Sequence, residues 1–217
     1  FDEVIVGRVP ADRARSNQHL ARETSASGLA AVWARDNTRE ALWDAMARKE
    51  VYATTGTRLV VRVFGGFDFT AEDLERSDFA EQGYKRGVPM CGDLKSASAG
   101  KAPTFLVHAM RDVDGANLDR IQVVKGWLDA SGKTQEKVYD VVWSGDRKPG
   151  ANGKLPPVGN TVNVKEASYT NAIGAPVLTA YWKDPGFDPK LRAFYYVRVL
   201  EIPTPRWTTY DARIFGV

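Results

Sequence analysis

The hydrophobic period of the sequence changes once, within residues 37–64, and this change restricts the folds that the chain can adopt. Before Val51, apolar residues recur at spacings of three and four, which is typical of an amphipathic helix. Beyond Gly56, Leu59, Val61 and Val63 alternate with arginines, which is typical of a half-buried strand. The stretch therefore predicts a helix that leads directly into a sheet.

The predicted helix begins at Asn37, whose side chain can cap the first free N–H groups, with Glu40 three residues later as a weak capping box. Its expected buried stripe lies at positions i, i+3, i+4 and i+7 and is formed by Leu42, Ala45, Met46 and Lys49. Trp43 widens this stripe, so that we expect it to pack on a sheet.

The rest of the chain reads as short strands separated by turn signals. Strands are predicted over residues 59–63, 103–110, 121–128, 138–143, 161–164, 177–182 and 193–202, with a single short helix over residues 71–76. The strands over 121–128 and 138–143 are joined by the short loop DASGK and are expected to form an antiparallel hairpin. Residues 83–103 are rich in Gly, Ser and Lys and are expected to form a long surface loop. This succession predicts a mainly β chain, α+β overall: an antiparallel β-sandwich preceded by a short helical segment. We place the boundary after Gly56, which gives a first unit of residues 1–56 and a sandwich domain of residues 57–217.

Composition and charge exclude several classes of partner. The 217 residues carry a formal net charge of +3, and acidic residues are interspersed with the basic ones, so no nucleic-acid partner is expected. No run of about eighteen apolar residues occurs, so no membrane span is predicted. Cys91 is the single cysteine, which excludes an internal disulfide and leaves the choice between periplasm and cytoplasm open. Because the chain starts FDEVIVGRVP without an initiator Met, we expect a fragment or a processed product.

No metal site is predicted in this chain. His19 lies in a polar stretch without a second ligand at a suitable spacing, and we interpret it as a solvent-exposed imidazole. Asp112, Asp114 and Asn117 invite comparison with a calcium loop, but Gly115 occurs too early for that pattern. We interpret the Asp-Gly pair as turn chemistry.

Several long blocks of the sequence resemble one family. They are GLAAVWARDNTREALWDAMARKEVYATTGTR, VRVFGGFDF, GVPMCGDL, NLDRIQVVKGWLD, EKVYDVVWS, VGNTVNV and FYYVRVLEIPTPRWTTYDA. As a set these blocks are specific, and they resemble the C-terminal part of the bacterial domain-of-unknown-function three-six-zero-four family, whose longer members carry a PHP-like (polymerase and histidinol phosphatase) metallohydrolase domain.

The resemblance implies a division of labour within a longer protein. Residues 1–56 would be the tail of the PHP-like domain, and the sandwich would be its C-terminal neighbour. The Asp and His motifs of metal-dependent hydrolases have no match here, so the resemblance implies that a divalent metal and its ligands belong to an N-terminal PHP-like region outside this chain. That region is the expected partner, and this chain alone is expected to be inactive.

Two small groups of residues are candidates for a site. Thr54, Thr55 and Arg58 lie at the junction, where Arg58 could hold an anionic substrate group bidentately at the edge of the hydrolase pocket. The alternative is a hydrogen-bonded turn beside a surface arginine. Arg206 and Trp207 could form a cation–π pair in a binding site, but we favour packing of the tail back on the sheet as their explanation.

A second function is compatible with the same sequence. A non-catalytic β-sandwich module could bind a carbohydrate or a protein partner through its aromatic residues, among them Trp127, Trp143, Trp182 and Trp207. A complete enzyme that acts through paired carboxylates has little support, because no motif pairs two acidic residues.

Overall fold

The computed structural model describes residues 28–95 and 100–216, within which nine strands form three antiparallel sheets. The strands are β1 Leu29–Val32, β2 Val51–Thr54, β3 Val60–Gly66, β4 Gly87–Pro89, β5 Thr104–Met110, β6 Leu118–Leu128, β7 Thr134–Trp143, β8 Val177–Lys183 and β9 Ala193–Glu201. The helices are α1 Arg39–Ala47, a 3₁₀ helix Ala71–Glu75, α2 Phe79–Arg86 and α3 Trp207–Phe215. The predicted mainly β fold is confirmed.

Two of the sheets pack face to face and enclose the main core. A four-stranded sheet has the order β4-β3-β5-β8, and a three-stranded sheet has the order β7-β6-β9. On β5, Val107 and Ala109 are fully buried and lie opposite Ile121 of β6 in one apolar cluster. Alternation along each strand directs these residues inward, as expected for two stacked antiparallel sheets. The hairpin predicted from residues 121–143 is the β6–β7 pair, so that prediction is confirmed.

The second face of the four-stranded sheet is covered as well. Phe64 and Leu106 point away from the sandwich core and are completely buried beneath the 3₁₀ helix and α2. Gly83 of α2 lies directly against the Phe64 ring, and a Cβ at this position would overlap that ring. Glycine is therefore required here for the close approach of helix to sheet. We predicted residues 83–103 as a surface loop. This prediction is wrong for the residues that belong to α2, because the contact between Gly83 and Phe64 stabilises a helix that contains a glycine.

Residues 28–56 form a small unit of their own. β1 pairs with β2 in a two-stranded antiparallel sheet, and α1 connects the two strands. The helix is capped by Thr38, whose Oγ1 accepts a hydrogen bond from the Ala41 amide, so the predicted cap at Asn37 is wrong by one residue. Both strands of this pair are absent from our sequence prediction, because four-residue strands carry too short a pattern.

The predicted buried stripe of α1 is correct for Ala45, and Leu42 is half-buried, but the prediction is wrong for Met46, Lys49 and the widening by Trp43. Ala45 is the buried residue of this helix, whereas the Trp43 and Met46 side chains are 71% and 49% exposed. The spacing of apolar residues predicted that the helix has an apolar face. It could not show that Trp43 and Met46 on this face point away from the described sheets.

Two further predictions differ from the structure. Residues 161–164 form no strand, because the pairing there is limited to an isolated bridge between Asn163 and Ser168. The tail does not run back along a sheet but forms α3, which is anchored through Arg213 to the Glu166 carbonyl oxygen. Each of the described helices is too short to cross a membrane.

One end of the sandwich contains a buried ion pair. The Lys125 ammonium donates to the Asp184 carboxylate at 2.6 Å and to the Gly186 carbonyl at 2.7 Å, and both charged side chains are almost completely buried. The Tyr195 hydroxyl donates to the same carboxylate at 2.7 Å, and burial, followed by this hydrogen bond, raises the pKa of Tyr195. The pair links β6, β9 and the loop after β8, so this end of the sandwich depends on a satisfied polar network.

Replacement of Lys125 by Met should destabilise the fold strongly, because it leaves the Asp184 charge buried without its cation. We expect a loss of about 3–5 kcal/mol in the free energy of unfolding, measured by urea denaturation. The double variant K125M/D184L, which removes both charges, should recover part of this loss. A K125M variant as stable as the wild type would contradict the prediction.

Candidate functional site

The junction after β2 is a hydrogen-bonded turn. The Thr54 hydroxyl donates to the Thr57 carbonyl at 2.6 Å and accepts a bond from the Gly56 amide at 3.4 Å. Gly56 has a φ of 136°, a conformation that side chains rarely adopt, so the turn requires a glycine. The Thr54 hydroxyl therefore holds the turn. Thr55 lies between Thr54 and Gly56 in the same turn.

Arg58 leaves this turn with its side chain in solvent. Its backbone N–H donates to Asp112 Oδ2 at 2.7 Å, and its Nε lies 3.8 Å from the same oxygen. The Arg58 side chain is 77% exposed, whereas that of Asp112 is 14% exposed. The Arg58 and Asp114 amides and the nearby guanidinium charges lower the pKa of the Asp112 carboxyl. Asp112 is therefore an ionised anchor that fixes the turn to the loop after β5.

Glu201, the last residue of β9, lies beside this anchor. Its Oε1 is buried and has no hydrogen-bond partner among the residues that the structure describes. Burial raises the pKa of the Glu201 carboxyl, a hydrogen bond from the Thr57 side chain opposes that change, and the Asp112 charge adds to it. Two carboxylates thus share one partly enclosed region, and Glu201 is the one whose ionisation costs more.

Two tyrosines complete the group. Burial raises the pKa of Tyr169, and the neighbouring Tyr210 and Glu201 charges raise it further. Tyr210 belongs to α3, so the C-terminal helix contributes to the same region. We refer to these five residues as the Glu201 cluster: Thr57, Asp112, Tyr169, Glu201 and Tyr210.

Arg111 supplies the neighbouring positive charge without pairing to a carboxylate. Its Nη1 donates to the carbonyl oxygens of Asp112, Val113 and Gly115 at 2.8–3.2 Å. The guanidinium therefore holds the loop after β5 in shape, and its charge lowers the pKa of Tyr169 against the larger effects that raise it. Arg111 positions the Asp112 backbone and leaves Glu201 Oε1 without a donor.

The chemistry open to the Glu201 cluster is proton binding. Among the described residues, no group of three His, Cys, Asp or Glu side chains is arranged to hold a metal ion. A partly buried carboxyl with a raised pKa binds a proton more readily than an exposed one, and its protonation removes the repulsion from Asp112. The cluster therefore brings charged and phenolic groups of the junction turn, the loop after β5, β9 and α3 close enough to influence one another's pKa.

A second polar group fastens the N-terminal unit to the sandwich. The indole N–H of Trp33 donates to the Val61 carbonyl at 2.9 Å, and the Arg62 guanidinium lies 4.1 Å from the centre of the Trp33 ring. Arg62 also donates to the Tyr84 hydroxyl at 3.0 Å, and that hydroxyl donates to the buried carboxylate of Glu50.

Arg48 closes this network from the end of α1, because its Nε donates to Glu50 Oε1 at 3.0 Å. Burial raises the pKa of Tyr84, and the hydrogen bond to Glu50 adds to the effect. We refer to this network as the Glu50 cluster: Trp33, Arg48, Glu50, Arg62 and Tyr84. It gives α1 a fixed orientation on the sandwich even though most of the helix surface is exposed.

The remaining site candidates lie at the start of α3. Arg206 is the N-cap residue and Trp207 the first helical residue, and both side chains are exposed. Within the described part of the chain, no cation–π contact joins these two side chains. Trp207 shares the helix with Tyr210, so the tail and the junction candidates lie near the same end of β9, although a binding role for Arg206 and Trp207 stays a prediction.

Sequence reasoning missed the two buried carboxylates that organise these groups. Glu201 follows an alternating strand and precedes Pro203, and nothing in its spacing distinguishes it from a strand-end surface residue. Glu50 lies just after Lys49, which has a φ of 63°. An acidic residue immediately before the Val51–Thr54 strand is a weak signal at most, since its partner Tyr84 is 34 residues away in sequence.

The chain matches one protein family over nearly its whole length. The family is described as "Protein of unknown function (DUF3604)", and the match covers residues 4–217. The chain belongs to this family, and the resemblance drawn from the sequence blocks is confirmed at that level. Neither the curated proteins nor the solved structures include a significant match.

The raised pKa of Glu201 should make stability depend on pH. Ionisation of this carboxyl costs more free energy in the folded chain than in the unfolded chain, so the protonated form favours folding. This contribution to the free energy of unfolding is complete below about pH 4.5 and is lost as the pH rises through the pKa of the folded chain. An E201Q variant avoids this loss. We expect it to gain stability relative to the wild type between pH 4 and pH 7, measured by urea denaturation at both values.

The matched control is Glu75→Gln, which removes an exposed carboxyl at the end of the 3₁₀ helix. Its difference from the wild type should change little between the two pH values. If E201Q and E75Q showed the same pH dependence, the Glu201 carboxyl would not be the buried group described above.

Proposed function

We propose that this chain is the C-terminal part of a PHP-like metal-dependent hydrolase, and that its role is to dock on the catalytic region and complete one edge of the pocket. The metal ligands of that hydrolase lie outside this chain. The outward apolar face of α1 carries the proposal, because a helix fixed in this orientation presents Trp43 and Met46 to a surface beyond the described residues.

The exposed face of α1 has the character of an interface rather than of a solvated helix. Leu42, Trp43 and Met46 form a broad groove together with the polar residues 37–40 at the helix start. Tryptophan and methionine are enriched at protein contacts, and a contiguous apolar patch with a polar rim marks such sites. Burial of Trp43 and Met46 would stabilise the docked state by about 1.5–3 kcal/mol for each side chain.

The Glu50 cluster supports this role because it fixes the interface in advance. Arg48 at the end of α1 is tied to Glu50, and Glu50 is tied through Tyr84 to the helix that covers the four-stranded sheet. A helix held in this way loses little conformational freedom on docking, so more of the burial energy contributes to affinity.

Arg58 is the residue that we propose to contact the substrate. Its guanidinium is exposed, while its backbone is fixed by Asp112, so the side chain projects from a rigid turn. A guanidinium can bind two oxygens of a phosphate or carboxylate at once, which suits an anionic ester. Thr54 holds the turn that positions Arg58 at the edge of the pocket, and Thr55 lies in the same turn.

The catalytic step is assigned to the upstream region. The described residues lack a three-ligand cluster, and we assign no metal ligand to them. The divalent metal of a PHP-like hydrolase activates water and polarises the phosphoryl group when bound. In this proposal the residues of this chain bind the substrate anion and exclude water from one side of the pocket.

Docking through α1 can be tested with a Trp43→Ser variant made in two proteins. In this chain alone the Trp43 ring is mostly exposed, so the substitution should leave the melting temperature nearly unchanged. In a longer protein that includes the upstream region, we expect the ring to be buried and the melting temperature to fall by several degrees, measured by differential scanning fluorimetry.

Val113→Ser serves as the matched control because Val113 is 82% exposed in a loop outside α1. It should leave both proteins unchanged. Equal effects of W43S in the short and the long protein would show that α1 does not contact the upstream region.

The role of Arg58 can be tested in the longer protein with p-nitrophenyl phosphate and Mn²⁺. An R58A variant should raise KM about tenfold or more with little change in kcat, because it removes binding that the ground state and the transition state share. R58K should recover part of the affinity, since lysine keeps the charge without the bidentate geometry.

Arg192→Ala is the control, because Arg192 is exposed in the loop before β9 and is remote in sequence from the junction. An R58A variant with wild-type KM, or hydrolysis by the 217-residue chain alone at the rate of the longer protein, would contradict the proposed division of labour.

A further inference from the structure

The two sheets of the sandwich differ in how their outer faces are covered. Helices lie over the outer face of the four-stranded sheet, whereas none of the described helices packs on the outer face of the β7-β6-β9 sheet. The register of this sheet places three rows of residues on that open face. The rows are Phe194–Gly126–Glu136, Tyr196–Val124–Val138 and Arg198–Gln122–Asp140.

Two aromatic rings lie side by side on this face. Phe194 and Tyr196 are 63% and 43% exposed, their ring centres are 6.4 Å apart, and their planes differ by 12°. The Phe194 ring lies over Gly126, where a Cβ would overlap the ring carbons. The glycine therefore allows the Phe194 ring to lie flat on the sheet with one π-face toward solvent, and the Tyr196 ring is nearly parallel to it.

Free polar groups stand at both ends of the aromatic pair. The Arg198 and Glu136 side chains are exposed, and neither makes a hydrogen bond or ion pair with the described residues. Between β6 and β7, the Gln122 amide donates to Asp140 at 2.7 Å, which supplies a fixed polar row beside Tyr196. The face thus offers an unused donor, an unused acceptor and two flat apolar rings.

We propose that the open face of the β7-β6-β9 sheet is a binding site for neutral hexopyranose oligosaccharides. A pyranose ring has an apolar face of C–H groups, whose partial positive charge is attracted to the negative π-face of an aromatic ring. Its hydroxyl groups both donate and accept hydrogen bonds. Phe194 and Tyr196 stack on the sugar rings, Arg198 donates to hydroxyl oxygens, and Glu136 accepts from hydroxyl hydrogens.

A purely structural explanation of Phe194 is that it covers the backbone at Gly126. This explanation requires an apolar side chain but not a π-face, and it gives no reason for the parallel Tyr196 ring or for the unpaired charges in the flanking rows. The two explanations therefore predict different results for a leucine at position 194, which keeps the cover and removes the ring.

The test uses the 217-residue chain and isothermal titration calorimetry with soluble cello-, xylo-, malto- and manno-oligosaccharides. We expect at least one series to bind to the wild type. F194L and Y196L should each weaken that binding about tenfold or more while the melting temperature stays near that of the wild type. F194W should retain binding because it restores a flat ring, and R198M should weaken binding by a smaller factor.

Phe215→Ser is the control, since it alters an exposed aromatic residue at the end of α3, outside this sheet, and should leave sugar affinity unchanged. The proposal is overturned if no series binds at millimolar concentration, or if F194L binds as tightly as the wild type. It is also overturned if the face instead mediates self-association, seen as a concentration-dependent increase in mass that F194L abolishes. The docking role of α1 is unaffected by any of these outcomes.

Discussion

The face-to-face packing of the two larger sheets is the constraint on which the other features depend. Val107 and Ile121 come from opposite sheets and are both completely buried. Because a shift of one residue would turn these side chains to solvent, their burial fixes the register of β5 and of β6 within their sheets. Once that register is set, Phe64 and Leu106 must point outward from the four-stranded sheet, which then needs helices to cover it. The same rule places Phe194 and Tyr196 on the outside of the other sheet, where the described chain provides no cover.

Buried polar groups determine how the remaining elements attach to this core. Glu50 is satisfied by Arg48 and Tyr84, and this network orients α1 without burying much of it. Glu201 is different, because one of its oxygens lacks a partner among the described residues and Asp112 lies nearby. The first carboxylate is therefore a fixed attachment, whereas the second makes the contact between the junction turn and β9 sensitive to protonation.

The sequence predicted those parts of the fold that repeat a local pattern. The β6–β7 hairpin, β8 and β9 follow from alternation and turn signals, and β3 follows from the change of period after Gly56. α2 was missed because Gly83 lowers helix propensity, and the reason for this glycine is a contact with Phe64, nineteen residues earlier in sequence. At the candidate site, the sequence identified the turn that contains Thr54 and Arg58, but not Asp112, the partner of Arg58, which comes from a distant loop. The role of these residues in a site stays a prediction.

The outward aromatic residues distinguish two kinds of exposed apolar surface. On α1, Trp43 adjoins Met46, and flexible thioether and indole groups together suit an irregular protein surface. On β9, Phe194 and Tyr196 are held parallel on a rigid sheet and are flanked by an unpaired donor side chain and an unpaired acceptor side chain, which suits a ligand whose rings have an apolar C–H face and carry hydroxyl groups. α1 and β9 have no residue in common, so the first surface can dock on an upstream region while the second stays open to a saccharide. If both proposals hold, one polypeptide would carry the edge of a substrate pocket and a glycan site on separate surfaces.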